Sequence, residues 1–158
     1  MTQTPPSPQS DKRPDDFDLE DFLPFLLNQT AEVTGKAFQS IYRARYGLTR
    51  TQWRVLAIIG RYGGLTGRAI CDIAHEEKTR VSRAVAAMEQ EGLLSRAESP
   101  EDKRAEILSL TEKGQTVFAD LGREANAFDA RLKAALGPEK DRQLRAIMAT
   151  LRNIEPDR

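Results

Sequence analysis

The sequence predicts a mainly α-helical protein with a small β wing: a winged helix-turn-helix flanked by N- and C-terminal dimerisation helices. Three observations predict it. Residues 48–90 hold three helix-sized apolar patterns broken by short turns. Gly92 and two short strand patterns around a highly charged tip follow, closing at Thr111. The segments on either side carry long apolar stripes at helical spacing. The expected division is a tail over 1–17, an N-terminal dimerisation helix over 18–46, the winged helix-turn-helix over 47–111 and C-terminal dimerisation helices over 112–158.

The first sixteen residues hold four prolines and no aromatic residue, so they are expected to be disordered. A long helix is predicted from Asp18 or Asp21 to Tyr46, with Pro24 tolerated because it falls in the first turn or two. Phe22, Leu26, Val33, Ala37 and Ile41 mark one face, extended by Phe38, Tyr42 and Tyr46. The next helix opens with Thr49 as N-cap, Gln52 closing a capping box and Leu48 placed to staple against Trp53. Its apolar face runs through Trp53, Leu56 and Ile59, and Gly60 with the Gly63-Gly64 pair is expected to stop it. Thr66 caps a short helix, Gly67 to about Ala74, with Ile70 and Ile73 expected to point inward.

Glu77 then precedes a helix from Lys78 to Gln90, with Val81, Val85 and Met88 on its apolar side. Thr79, Arg80, Ser82 and Arg83 fall away from that stripe or on its border. Hydroxyls and guanidiniums in a row on the second helix of a helix-turn-helix are suited to base edges and phosphates; a plain solvated face is the alternative. Arg80, Lys78 and Arg68 are expected at phosphates, Ser82 and Arg83 at base edges. After Gly92 a strand is read over 93–97, and Ile107, Leu108 and Leu110 lie on a return strand. The residues between, 98–104, are too charged to pack and long enough to project as a hairpin. Arg104 near the tip can enter a narrow minor groove, with Asp102 holding it extended, and Lys103 is expected to meet phosphate or solvent. The alternative is a charged hairpin with no role.

On these residues the chain resembles the MarR family of winged-helix transcription regulators, through LTRTQWRVLAIIGRYGGLTGRAICDIAHEEKTRVSRAVAAMEQEGLLSR and ESPEDKRAEILSLTEKG. The resemblance covers about residues 20–154. It implies that Val81, Ser82 and Arg83 lie in the recognition helix. It also implies that Asp102, Lys103 and Arg104 are the family's wing signature, and that Leu110, Thr111 and Gly114 form the exit from wing to helix. The chain departs from the family at His75 and Glu76, where many members carry a glycine and an apolar residue. The resemblance further implies a homodimer on a pseudo-palindromic double-stranded DNA site and a repressor released by a small, often anionic aromatic effector near Phe38, Tyr42, Arg43, Tyr46, Trp53 and Arg54; a cytoplasmic location is expected from the lack of an export or membrane-spanning segment. Core packing is the competing reading for those rings.

Thr111 caps a helix expected to reach Leu136, with Val117, Leu121, Ala125, Phe128 and Leu132 on one face. Gly137 and Pro138 break it, and Leu144, Ile147, Met148, Leu151 and Ile154 repeat the pattern. A helix of twenty-five residues rises about 37 Å, so these stripes outrun the winged core and call for a second copy of the chain; the alternative is a hairpin closing on itself.

Composition excludes more than it reveals. Lys plus Arg and Asp plus Glu are both 24, a net charge of zero. Residues 1–22 carry two cations against six carboxylates, which leaves the rest at plus four. No apolar run reaches membrane-spanning length and no signal peptide is evident. One cysteine, Cys71, and one histidine, His75, provide neither disulfide framework nor metal set. Cys71 is expected as a buried packing thiol, with an oxidation sensor as the alternative; His75 is expected in a turn or at a phosphate edge. No nucleophile–base pair and no phosphate loop is present, so neither enzyme activity nor a cofactor is expected. The alternative function is an architectural or protein-binding winged module without effector response.

Overall fold

The computed structural model describes residues 17–100 and 105–154. The Pro-rich tail over 1–16 and the wing-tip residues Asp102, Lys103 and Arg104 lie outside the described residues. The elements in order are α1 (Leu23–Tyr46), α2 (Arg50–Tyr62), β1 (Leu65–Thr66), α3 (Gly67–Ala74), α4 (Lys78–Gln90), β2 (Leu94–Glu98), β3 (Glu106–Leu110), α5 (Glu112–Leu136) and α6 (Pro138–Arg152). The described residues up to Lys36 form one compact unit and those from Ala37 a second, with the boundary inside α1.

In the first unit α1 begins at Leu23, later than Asp18 or Asp21, and the chain before it is a turn closed by Glu20 N–H donating to Asp18 Oδ1 at 2.9 Å. Pro24 is the second helical residue, where its missing N–H costs no bond. The Thr30 and Thr34 hydroxyls donate to the carbonyls one turn back, at 2.8 Å each. Phe22, Leu26 and Val33 of the expected apolar face are exposed.

The second unit is built on the winged core. The Thr49 hydroxyl accepts from Gln52 N–H while Gln52 Oε1 accepts from Thr49 N–H at 2.8 Å, the reciprocal box that starts α2. α2 passes through Gly60, the first of the expected stops, and ends at the expected Gly63-Gly64 pair: it runs to Tyr62 and is capped by Gly63, whose φ of 84° needs a glycine. Gly60 is an interior position kept small by a distant neighbour: a Cβ there would lie 2.5–2.6 Å from the Phe118 ring of α5. Thr66 caps α3 by accepting from Ala69 N–H at 3.2 Å.

The sheet has order β1-β3-β2, antiparallel throughout, with Leu65 opposite Leu108 and Leu94 opposite Leu110. The two-residue β1 was not foreseen, because Leu65 and Thr66 are too short a run to show alternation. β2 starts and ends one residue later than predicted. The core joins Val55, Leu56 and Ile59 of α2, Ile70 of α3, Val81, Val85 and Met88 of α4, Leu94 and Leu108 of the wing, and Val117 and Leu121 of α5. Ile73, expected inward, is exposed: α3 is two turns long and its buried face is spent on Ile70. Beyond Leu121 the apolar stripe of α5 thins into Leu132 and Leu136, both exposed, and no residue of α6 is buried. Gly137 separates α5 from α6 and Pro138 opens the latter. Among the described residues no helix is long and apolar enough to cross a membrane.

Candidate nucleic-acid interface

The turn between α3 and α4 sets where α4 points. His75 ends α3 in the left-handed conformation, φ 49°, and both His75 and Glu76 donate their N–H to Cys71 O. Arg54 of α2 clamps this turn, donating to Glu76 Oε1 at 2.9 Å and to Ala74 O at 3.4 Å. Glu76 is therefore held in this turn. Its carboxylate is largely covered and is paired. Glu77 then caps α4 without a side-chain bond, and its carboxylate lies 4.0 Å from Arg80. A negative charge there favours the helix dipole.

From this start α4 buries Val81, Ala84, Val85 and Met88 and turns Lys78, Thr79, Arg80, Ser82 and Arg83 outward, all exposed. Arg68 at the first turn of α3 is exposed as well. Among the described residues the side chains of Arg68, Lys78, Thr79, Ser82 and Arg83 make no hydrogen bond or ion pair. Among the described residues nothing has to be released for them to meet an outside partner. α4 ends in a Schellman motif: Gly92, at φ 71°, donates to Glu89 O at 3.0 Å and Leu93 to Met88 O at 2.8 Å. The chain thereby turns straight into the wing.

Between α3, α4 and the wing strands lies an open cavity of about 710 Å³, walled by Arg68, Cys71, Asp72, Lys78, Arg96 and Glu106 among others. Cys71 is half-buried, packing on the core while also reaching this cavity, where a fully buried thiol had been expected. Sequence reasoning missed Arg96. It donates from Nε and one terminal nitrogen to the two oxygens of Glu89, at 2.9 and 2.8 Å, and from its other terminal nitrogen to Glu106. These bonds hold the Glu89 carboxyl below the usual carboxylate range. No helix or strand spacing rule links a residue near the end of α4 to one on a strand, so no local signal announced the pair.

The residues expected near an effector are mostly engaged with one another. Phe38 and Tyr42 are buried, and Trp53 lies edge-on to Phe38 at 5.3 Å and stacked on Tyr42 at 5.8 Å. Phe128 completes the cluster, 5.5 Å from Phe38. Burial raises the Tyr42 phenol above its ordinary value against the opposing pull of Arg50 and Arg54, so it stays a neutral hydroxyl at physiological pH. Tyr46 donates to Asp120 Oδ2 at 2.9 Å, and Arg45 pairs with Asp120 and Glu124. Arg43 is exposed.

This geometry has close parallels. The MarR family model matches residues 46–105, from the end of α1 through the first wing strand and across the tip. The transcriptional regulator FarR of Neisseria gonorrhoeae is 26% identical over 129 residues, covering 82% of this chain and 88% of that one. The homoprotocatechuate degradative operon repressor of Escherichia coli is 25% identical, covering 80% and 84%. The crystal structure of the MarR family regulator SPO1453 from Silicibacter pomeroyi superposes with a TM-score of 0.77 at 27% identity over 87% of this chain and 98% of that one. The chain is similar to the MarR family through this winged region. These matches mark it as a DNA-binding transcriptional regulator. The fold is shared more widely: NadR, solved in complex with 4-hydroxyphenylacetate, superposes with a TM-score of 0.74 at 23% identity over 94% of this chain and 99% of NadR.

Proposed function

We propose that the protein is a dimeric repressor that places α4 in the major groove and the wing in the adjacent minor groove of a pseudo-palindromic operator, and leaves it when a small anionic aromatic compound binds. The observation that carries the DNA reading is the exposed row of Lys78, Thr79, Ser82 and Arg83, unpaired among the described residues, on the second helix of a helix-turn-helix whose turn is clamped by Arg54. Ser82 and Arg83 read base edges. Lys78, Arg80 and Arg68 meet phosphates, and the cavity between α4 and the wing gives one DNA backbone room to pass. Asp102, Lys103 and Arg104 complete the contact from the wing tip. Dimerisation belongs to the helices over 18–46 and 112–158, DNA binding to 47–111.

The repressor assignment draws on the Escherichia coli operon repressor, and the ligand class on the 4-hydroxyphenylacetate held by NadR. A ligand of this kind regulates only through unequal affinity for two spacings of the recognition helices, one matching DNA and one not.

Binding to an operator selected from random-sequence duplexes, compared with binding to an arbitrary duplex at several salt concentrations, tests the assignment. Arg83→Ala is expected to lose about 1–3 kcal/mol of discrimination between the two. Equal loss on both duplexes would show that Arg83 serves a phosphate and reads no base. Arg104→Ala is expected to weaken binding most on operators with A/T-rich flanks, whose narrow minor grooves concentrate negative potential. Wild-type affinity of that variant on such a site would take the wing off the DNA.

A further inference from the structure

We infer that Arg96 is a positioning residue for DNA binding: a strut that fixes the angle between the recognition helix and the wing. The inference rests on the reading of α4 and the wing as joint DNA contacts. Arg96 sits mid-way along β2, opposite Leu108 of β3. Glu106, two positions along β3 from that partner, is its diagonal neighbour, within reach of a long side chain. On the other side lies Glu89, one residue before the end of α4. All three guanidinium nitrogens are engaged, two in a fork on Glu89 and the third on Glu106. A planar fork holding one carboxylate while its remaining edge holds a second is a geometry that a lysine ammonium cannot reproduce.

The strut spans the joint that most needs holding. Past the Schellman turn the chain passes from α4 directly into β2, and β2 is an edge strand of the sheet, paired only with β3. Arg96 ties both wing strands back to the helix. A recognition helix and a wing that enter neighbouring grooves of one duplex need a fixed mutual spacing, and a joint that swings freely must be ordered at the moment of binding. Because its nitrogens are already committed, Arg96 acts through this geometry although it lines the cavity beside α4.

The sign of the charge effect separates the strut from simple electrostatics. Glu89, Arg96 and Glu106 together carry one net negative charge. The variant Glu89→Gln/Arg96→Met/Glu106→Gln carries none, so attraction to phosphate alone predicts tighter binding, whereas loss of the strut predicts weaker binding. The full-length protein with Cys71→Ser, Ala86→Cys and Glu98→Cys, spin-labelled at the two introduced thiols, reports the spacing of α4 and β2 without DNA. The neutral triple variant is expected to broaden that distance distribution and to bind a duplex selected by the wild type about tenfold more weakly. Repeating the selection with the variant is expected to lose base preference at the flanks read by the wing and to keep it in the major-groove half-sites. Arg96→Lys, which keeps the charge and loses the fork, is expected not to restore affinity. An unchanged distance distribution, or wild-type affinity in the triple variant, overturns the inference. Failure of the wild-type protein to select any duplex would instead sink the DNA reading itself, and the distance measurement still decides whether Arg96 holds the joint.

Discussion

Gly114→Ala is expected to lower the melting temperature by about 10 °C. Gly114 is buried in the first turn of α5, and a Cβ there would overlap the carbonyl oxygen of Leu93. Neither side can yield cheaply. That oxygen already accepts from Thr111 N–H at 3.1 Å, the Thr111 hydroxyl donates to Gly92 O at 2.6 Å, and Lys113 Nζ donates to Glu91 O at 2.7 Å. The start of α5 is thus bonded to the turn that carries α4 into the wing. Overpacking typically costs about 1–3 kcal/mol, and backbone-on-backbone overlap belongs at the upper end. At about 2–4 °C per kcal/mol for a chain of this size, that is the stated shift. Gly122→Ala on the same helix is the control: nothing lies within 4 Å of its Cβ, so it should gain up to about 1 kcal/mol from helix propensity. Thermal melts of the two variants beside the wild type check both signs, and an unshifted Gly114→Ala would mean that α5 does not approach the turn as described.

The features legible in the sequence were those set by neighbours in the chain. The Thr49–Gln52 box, the Thr66 and Thr111 caps, the bounds of α4 and the positive φ of Gly92 each follow from residues within one turn, and the structure has them where the spacing put them. Gly60 was misread because its reason is Phe118, on another helix: by local rules a glycine near a Gly-Gly pair is a stop, and only tertiary packing makes it a helix interior. Ile73 obeyed the helical period and still faces solvent, since periodicity names a face without saying that anything covers it. The exposed row on α4 was legible for the same reason as the core stripe opposite it: one period generates both. The supports of that row were not. Arg54 with Glu76 and Arg96 with Glu89 and Glu106 join elements that only the fold brings together, and nothing in a run of charged residues tells a paired carboxylate from a solvated one.

Removing residues 137–158 is expected to turn a dimer into a monomer and to cost at least about 100-fold in operator affinity. α6 contributes nothing to the core of its own chain, and Leu144, Ile147 and Ile154 expose 40%, 56% and 61% of their surface. Together with the exposed Leu132 and Leu136 at the end of α5 they form the apolar surface that a second copy of the chain would cover. The winged core keeps every one of its buried residues after the cut, so the truncated protein should still melt cooperatively and each monomer should still recognise one half-site. What it loses is the link between two half-sites about 34–36 Å apart. Linking two binding events raises overall affinity by about 10²–10⁴ through effective concentration alone. Loss of that factor should appear on a two-half-site duplex and be nearly absent on a duplex carrying one half-site. Sedimentation of both proteins at micromolar concentration, beside titrations of both duplexes, distinguishes the causes. A truncated protein that remains dimeric places the interface elsewhere. Equal losses on the two duplexes would mean that α6 supports the winged core directly, despite burying nothing in it. A full-length protein sedimenting near 17.7 kDa would remove the dimer altogether, and with it the reason for expecting a palindromic site.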